Sequence, residues 1–382
     1  FNFTKLATKV KMNLLNLLEE VKNLMFFQPL DTLNVKNRIT LAPMTRISAT
    51  LKGIPTSEML NYYRSFAEGG FGLIITEGLF IDETHSPGYQ HQPGLVTQTQ
   101  IDAWKNIVDA THKNGSKMIA QLMHAGALVH GNAFGYTSVA PSSIVPKGEK
   151  SPMYNGEGKY PTPEALSVDG IKDVVQSFVK TAKNAQCAGF DGIEIHAANG
   201  YLLDQFLTTY TNQRNDDYGG SLENRIRMIL EVITAIKSEV SSDFIVGIRI
   251  SQSKVNDFDY KWEGGEKDAQ VIFENLADSG IDYIHTTEYK AWQPAFNDNT
   301  LSLAALAKRH TDVPIIANGH LEDIETAISM LKNKEADLIA LGKAALANHT
   351  LPQKIHANQS LNEFNPDKVL NPDATLKDFE LK

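Results

Sequence analysis

Eight short apolar runs, separated by stretches with helical periodicity, constrain this chain more than any other feature. The runs are Ile39–Pro43, Leu73–Glu77, Met118–Leu122, Ile193–Ala197, Ile245–Ile250, Asp282–Thr286, Pro314–Asn318 and Leu338–Gly342. They are nearly continuous in hydrophobicity, as parallel strands covered on both faces are. Between them lie Glu58–Glu68, Ile101–Lys113, Val168–Ala188, Leu222–Val240, Lys267–Ser279, Ser302–His310 and Glu322–Lys332, with a last helix expected over Leu351–Ala357. Gly115, Gly189 and Gly280 follow their helices where a left-handed cap is wanted. Strand and helix alternating eight times predict an α/β fold of the (β/α)8 TIM-barrel type. A doubly wound sheet is the rival, but Glu68-Gly69-Gly70-Phe71-Gly72 precedes a strand and reads as a turn, not a dinucleotide fingerprint.

The expected organisation is a single barrel domain over residues 25–360, an N-terminal helical extension (1–24) and a C-terminal tail (361–382). The spacing of Leu14, Leu17, Leu18, Val21, Leu24 and Met25 fits an amphipathic helix that packs on the body. Glu19 and Glu20 interrupt it, which argues against a signal peptide. The absence of methionine at position 1 suggests a trimmed or tagged chain. The longest gap between elements, 125–167, follows the third strand and is rich in proline and glycine. A loop of that length in a compact domain is usually functional or disordered, and we expect it over the active mouth as a lid or pocket wall, with a plain surface excursion as the alternative.

Composition excludes several classes. Lys plus Arg is 36 against 45 Asp plus Glu, a net charge of −9 with no basic run, which argues against nucleic acid or an anionic membrane surface. No apolar stretch of about 18 residues predicts a membrane span. One cysteine, Cys187, excludes a disulfide framework, a cysteine-rich zinc site and a cysteine-held iron–sulfur cluster; no metal site is expected. Cytoplasmic location is the expectation. Cys187, inside a helical stretch, is assigned to the core.

Polar side chains stand near the C-terminal ends of otherwise apolar strands, where barrel enzymes place their chemistry: Thr45, Gln121, His196 and Arg249. A buried guanidinium is costly unless paired, so Arg249 needs either an internal partner, Glu194 or Glu77, or an electron-rich ligand in the mouth. The fourth strand runs into His196, Asn199 and Tyr201. Histidine and asparagine suit joint donation to one oxygen, and a tyrosine hydroxyl suits proton delivery beside it. The last two strands end in Gly319 and in Gly342-Lys343, the loops where many barrels hold phosphate. A phosphate with a large polar ring system suggests flavin mononucleotide (FMN). His124, His285 and His320 lie at strand ends, with structural hydrogen bonding and ligand contact both open.

The chain resembles the old yellow enzyme family of FMN-dependent ene-reductases and NADH:flavin oxidoreductases over about Phe27 to Asn358. The most specific pieces are His196-Ala-Ala-Asn199-Gly-Tyr201-Leu-Leu-Asp-Gln-Phe206 and Asn212-Gln-Arg214-Asn-Asp-Asp-Tyr218-Gly219-Gly220-Ser-Leu-Glu223-Asn224-Arg225. Asn37-Arg38-Ile39, Ala42-Pro43-Met44-Thr45-Arg46, Gln121-Leu122-Met123-His124-Ala125-Gly126 and Gly342-Lys343-Ala344 support it. The resemblance implies that Pro43, Met44 and Thr45 line the isoalloxazine, that Gly78 leaves room for it, and that Gln121 and Arg249 hold its pyrimidine edge. It implies that Gly319, Gly342 and Lys343 hold the phosphate, that His196 and Asn199 grip the substrate's activating oxygen, and that Tyr201 donates the proton. The implied reaction takes hydride from NADH or NADPH and reduces the activated C=C bond of a small enone, nitroalkene or similar compound; a homo-oligomer is possible.

Three places depart from the family. Lys343 stands where many relatives carry arginine, Met123 where a bulkier or polar residue is common, and Thr286-Thr287-Glu288-Tyr289-Lys290 lacks a frequent Ser-Gly pattern. Glu288, so close to a phosphate site, is expected to point away. Two other readings stay open: a flavin-free phosphate-site lyase using Lys290 or Lys343 as an amine nucleophile, and a non-enzymatic FMN-binding redox protein.

Overall fold

The structure is a computed structural model that describes residue 22 and residues 24–296 and 301–381. The amphipathic helix expected over 1–24 falls almost wholly outside the described residues. The eight expected strands form the barrel: β1 (Ile39–Leu41), β2 (Leu73–Ile75), β3 (Lys117–Met123), β4 (Gly192–Asn199), β5 (Ile245–Lys254), β6 (Tyr283–Thr287), β7 (Ile315–Asn318) and β8 (Leu338–Leu341); the two-residue strands Leu79–Phe80, Val139–Ala140 and Glu164–Ala165 lie outside it. The barrel strands pair in parallel in the order β2-β1-β8-β7-β6-β5-β4-β3, and β2 pairs with β3 to close the barrel.

The main helices between them are α1 (Ser57–Glu68), α2 (Gln98–His112), α3 (Val168–Cys187), α4 (Leu222–Glu239), α5 (Glu266–Asp278), α6 (Leu303–His310), α7 (Ile324–Lys332) and, after β8, α8 (Leu351–His356), with shorter helical turns at Leu202–Leu207 and Lys343–Ala347. Most begin where a short polar side chain accepts from a free first-turn amide: Thr56, Thr97, Ser167, Ser221, Ser302 and Asp323. Thr97 and Gln100 complete a capping box.

The two faces of each strand do different work. Outward residues such as Ile193, Ile195, Val246, Ile248 and Ile339 pack under the helices in one continuous core. Inward residues at the N-terminal end of the barrel, among them Leu73, Ile75, Ile119, Ile316 and Leu338, form a separate apolar plug. Leu33 and Val35 of the preceding hairpin-like turn cap that plug. With this end sealed by hydrocarbon, inward polar side chains collect at the C-terminal end.

Cys187 is a correction. It ends α3 exposed to solvent, because the buried face of that helix runs through Ile171, Val174, Phe178, Ala182 and Ala185 and turns away two residues later. Strands β4 and β5 also run further than the apolar pattern suggested. They stay paired to Asn199 and Lys254 through an irregularity at Ala197/Asn199. Polar residues prolong the ladder here because their side chains complete it: Ser251 Oγ accepts the Asn199 amide at 2.8 Å.

Candidate active site

Register brings the inward polar side chains into layers. Gln121 lies beside Glu194, and one step up His196, Arg249 and His285 share a level across β4, β5 and β6. Glu194 collects the lower layer: Gln121 Nε2 donates to it at 2.8 Å, Tyr283 OH at 3.0 Å and His285 Nδ1 at 2.8 Å. Burial alone pushes its carboxyl up, but His285 and Arg249 outweigh burial and hold it below the usual carboxylate range. Gly247 is glycine because a side chain there would collide with the Tyr283 ring.

Arg249 sits above this layer without the direct ion pair considered from sequence. Its Nη2 donates to Asn318 Oδ1 at 2.7 Å and Thr287 Oγ1 at 3.2 Å, both neutral. Its Nε is buried with no partner among the described residues. Glu77, the other expected partner, instead accepts from the Arg46 amide at 2.9 Å and from Tyr63 OH, and burial pushes its carboxyl up to about 7. Glu194 acts on Arg249 only through space. A desolvated guanidinium with an open donor edge is an anion or carbonyl receptor in waiting.

That edge faces two adjoining clefts that share Pro43, Met44, Arg249 and Lys343. One, of 960 Å³, runs over the ends of β7 and β8 past Asn318, Gly319 and Gly342. The other, of 900 Å³, is lined by Thr45, Gly78, Gln121, Met123, His196, Asn199 and Tyr201. Every residue given a catalytic or flavin-binding role by the resemblance therefore lines one cleft or the other, while His124 and His285 line neither. Gly319 (φ 137°) has no space for a side chain against the Glu288 carbonyl. The amides of Gly319, His320, Leu321 and Gly342 have no hydrogen-bond acceptor among the described residues. Lys343 is exposed at the cleft edge and makes no ion pair among them. Glu288 lines this cleft, but its carboxylate is engaged by Lys261 Nζ at 2.9 Å and the Gln252 amide at 3.1 Å.

The β4 end is built in detail. The Ala198 amide donates to His196 Nδ1 at 3.3 Å, which leaves the proton on Nε2. Burial, then Arg249 and His285, hold this imidazole neutral, well below its usual pKa. Asn199 is left-handed (φ 61°) and its carbonyl accepts from the Val255 amide at 3.0 Å. The Gly200 amide donates to Asp204 Oδ2 at 2.7 Å, and Gln205 Nε2 donates to the Gly200 carbonyl at 2.7 Å. Asp204 in turn is paired with Lys254 Nζ at 2.7 Å. Tyr201 caps the short helix Leu202–Leu207, packs edge-on against the His196 ring at 4.9 Å, and brings its hydroxyl 2.5 Å from that of Tyr89.

Residues far away in sequence complete the cleft, and sequence reasoning named none of them, although it expected the 125–167 loop to wall the mouth. Tyr154, from the 125–167 loop, lines it together with Phe364 and Leu370 from the C-terminal segment. Arg46 anchors that segment, giving a buried bidentate pair to Glu380 (2.5 and 2.7 Å) and a hydrogen bond to the Ala374 carbonyl. A Thr-Arg step after a strand carries no local signal of a partner more than three hundred residues away. Of the strand-end histidines, His285 serves Glu194, His124 accepts the Gly126 amide at 3.1 Å, and His320 pairs with Glu322 while lining the glycine-rich cleft.

The chain is similar to known proteins over most of its length. The model of the NADH:flavin oxidoreductase / NADH oxidase family matches residues 25–362. A 12-oxophytodienoate reductase 7 of Oryza sativa subsp. japonica is 32% identical over 361 residues, covering 90% of both chains. A probable flavin mononucleotide-dependent alkene reductase of Leishmania infantum is 34% identical, covering 87% of this chain and 90% of its own. The structure of the old yellow enzyme homologue from Zymomonas mobilis superposes with a TM-score of 0.80 at 32% identity, covering 88% of this chain and 94% of that one.

Proposed function

This chain belongs to the NADH:flavin oxidoreductase / NADH oxidase family, and from that premise we propose that it is an FMN-dependent ene-reductase. It would use NADH or NADPH to reduce activated C=C bonds of α,β-unsaturated carbonyl or nitro compounds. The observation that carries the reading is Arg249: a buried guanidinium with an unpartnered Nε, aimed at a cleft whose far end offers free amides and a free lysine. A flavin's pyrimidine edge and phosphate answer those two needs. Held there by these residues, FMN would supply the two-electron hydride chemistry between the nicotinamide and the substrate's β-carbon.

The roles proposed are those the family resemblance implies, and the positions of the residues in the two clefts support them. Gln121 and Arg249 hold the pyrimidine edge; Pro43, Met44 and Thr45 line the ring beside Gly78; Gly319, Gly342 and Lys343 receive the phosphate. His196, with its proton on Nε2, and Asn199, whose side-chain amide makes no hydrogen bond among the described residues, donate to the activating oxygen as negative charge builds there. Removing one such preorganised donor typically costs about 10²–10³ in rate. Tyr201 delivers the proton to the α-carbon, its hydroxyl kept in the acid form by burial.

The test is direct. The purified protein, reconstituted with FMN, should be yellow, and its oxidation of NADH or NADPH should accelerate when 2-cyclohexenone is added. Failure to retain FMN overturns the flavin reading, and nicotinamide oxidation indifferent to the enone leaves a flavoprotein of another activity.

A further inference from the structure

Tyr89 is a buried phenol that the reaction outlined above does not use. It follows the short strand Leu79–Phe80, is 3% exposed, and does not line either cleft. Its hydroxyl lies 2.5 Å from the Tyr201 hydroxyl and has no other hydrogen-bond partner among the described residues. The ring is held from several sides. His130 stacks on it at 4.9 Å, Tyr154 packs against it at 4.8 Å, and the Gly88 carbonyl next to it accepts the His130 amide at 2.7 Å. Tyr160 OH closes on His130 Nε2 at 3.4 Å.

We propose that Tyr89 is a positioning residue that makes Tyr201 a stronger acid by donating a hydrogen bond to its phenol oxygen. The inference rests on the reading of Tyr201 as the proton donor. Two hydroxyls this close share one hydrogen bond. If Tyr201 donated, its proton would be spent on Tyr89 and none would face the substrate. With Tyr89 donating, the Tyr201 proton is free to point into the cleft that Tyr201, and not Tyr89, lines.

In the transfer itself, the Tyr201 O–H bond breaks, a C–H bond forms at the substrate's α-carbon, and the electron pair stays on the Tyr201 oxygen until solvent returns a proton. That oxygen has no cation within hydrogen-bonding distance, so Tyr89 O–H is the group that meets the new charge. Such a bond shortens and roughly doubles in strength when its acceptor becomes anionic, so it favours the transition state over the ground state. Burial raises the Tyr201 pKa well above that of an ordinary phenol, and the bond from Tyr89 works in the opposite direction. Clamping by His130 and Tyr154 means that no reorientation is needed when the charge appears.

The test follows both half-reactions of the FMN-loaded enzyme by stopped flow, in wild type, Tyr89→Phe, Tyr201→Phe and the double variant. Tyr89→Phe should slow flavin reoxidation by 2-cyclohexenone about 10-fold or more, as expected for a lost bond to a charged acceptor. It should raise the solvent deuterium isotope effect and leave flavin reduction by nicotinamide at the wild-type rate. In the Tyr201→Phe background the same change should cost nothing further. A wild-type reoxidation rate in Tyr89→Phe, equal losses in both half-reactions, or an undiminished loss in the double variant overturns the inference. If Tyr201→Phe reoxidises at the wild-type rate, the donor reading itself fails and this inference with it. A slow Tyr201→Phe beside a fast Tyr89→Phe sinks only the role of Tyr89. Should Tyr89→Phe fold poorly, 3-fluorotyrosine at position 89 carries the same test: a stronger donor should speed reoxidation, and an unchanged rate overturns the proposal.

Discussion

The turn that carries Asn199 and Tyr201 rests on a buried ion pair, and breaking that pair one side at a time should be far worse than removing it whole. Lys254 Nζ lies 2.7 and 2.9 Å from the two carboxylate oxygens of Asp204, with the side chains 2% and 0% exposed. Asp204 also accepts the Gly200 amide at 2.7 Å and Thr208 Oγ1 at 3.4 Å. Burial already raises the Asp204 pKa, with Lys254 opposing it. Lys254→Met keeps the aliphatic stem but leaves a desolvated carboxylate, which typically costs about 3–5 kcal/mol. That is a large part of the roughly 5–15 kcal/mol by which domains are stable. Lys254→Met combined with Asp204→Asn removes both charges, while the amide oxygen still accepts from Gly200. The double variant should therefore recover most of the loss, since replacing a whole buried pair is often nearly neutral. Urea denaturation at pH 7 with a fixed excess of FMN reads the cycle, because bound ligand shifts every variant alike only at constant concentration. A loss below about 1 kcal/mol in Lys254→Met, or a double variant no more stable than that single one, would refute the argument.

Three further outcomes are expected. His196→Ala and Asn199→Ala should each weaken binding of a substituted phenol, read from the long-wavelength charge-transfer band of phenolate on oxidised flavin; their losses should be strongly non-additive, and single variants that bind as wild type does would remove the paired-donor site. Lys343→Ala should weaken FMN binding by roughly 10–100-fold, the worth of a charge-assisted hydrogen bond, while Lys343→Arg stays within a few-fold; fluorescence titration of the apoprotein decides, and an unaffected Lys343→Ala removes lysine from the phosphate site. Burial pushes His124, His130 and His349 down to about 4, so stability they contribute is complete above about pH 6.5 and is lost as pH falls toward 4. For fully buried His124 this amounts to at most about 3 kcal/mol. Glu77, pushed up to about 7, works in the opposite sense over pH 4.5–7, one group against three. The melting temperature should therefore be lower at pH 5 than at pH 7; equal values would contradict the burial of these imidazoles.

Periodicity carried most of the architecture into view, because strands buried on both faces and helices buried on one leave different spacings of apolar residues. Candidate site residues on strand ends stood out for a related reason: a polar side chain such as Arg249 or His196 inside an apolar run has no cheap explanation. What stayed hidden depends on contacts between distant parts of the chain. Tyr89 lies in a segment of glycines, prolines and polar residues with no periodicity, and its partner is 112 positions away. The short helix Leu202–Leu207 is buried at every position and so shows no amphipathic stripe. Cys187 went to the core on residue type alone, whereas the phase of α3 turns it to solvent. Arg249 shows the limit most clearly, since the choice between an internal ion pair and an external partner needed the position of Glu194 and not just its presence.

Arg46 and Glu380 are separated by 334 positions, yet their pairing fastens the segment that brings Phe364 and Leu370 over the cleft. At a synthesis rate of about 5–20 residues per second, Arg46 waits roughly 20 to 70 s for its carboxylate to be made. Through most of that interval a barrel whose first strand is already in being lacks its closing eighth strand, and through all of it the neutralising partner of a guanidinium destined for full burial is missing. The strand-end side chains of β4 thus exist for a long stage before the segment that covers the cleft can be fastened. The walls of the cleft contributed by Phe364 and Leu370 are therefore set in place last, after every strand of the barrel has been made.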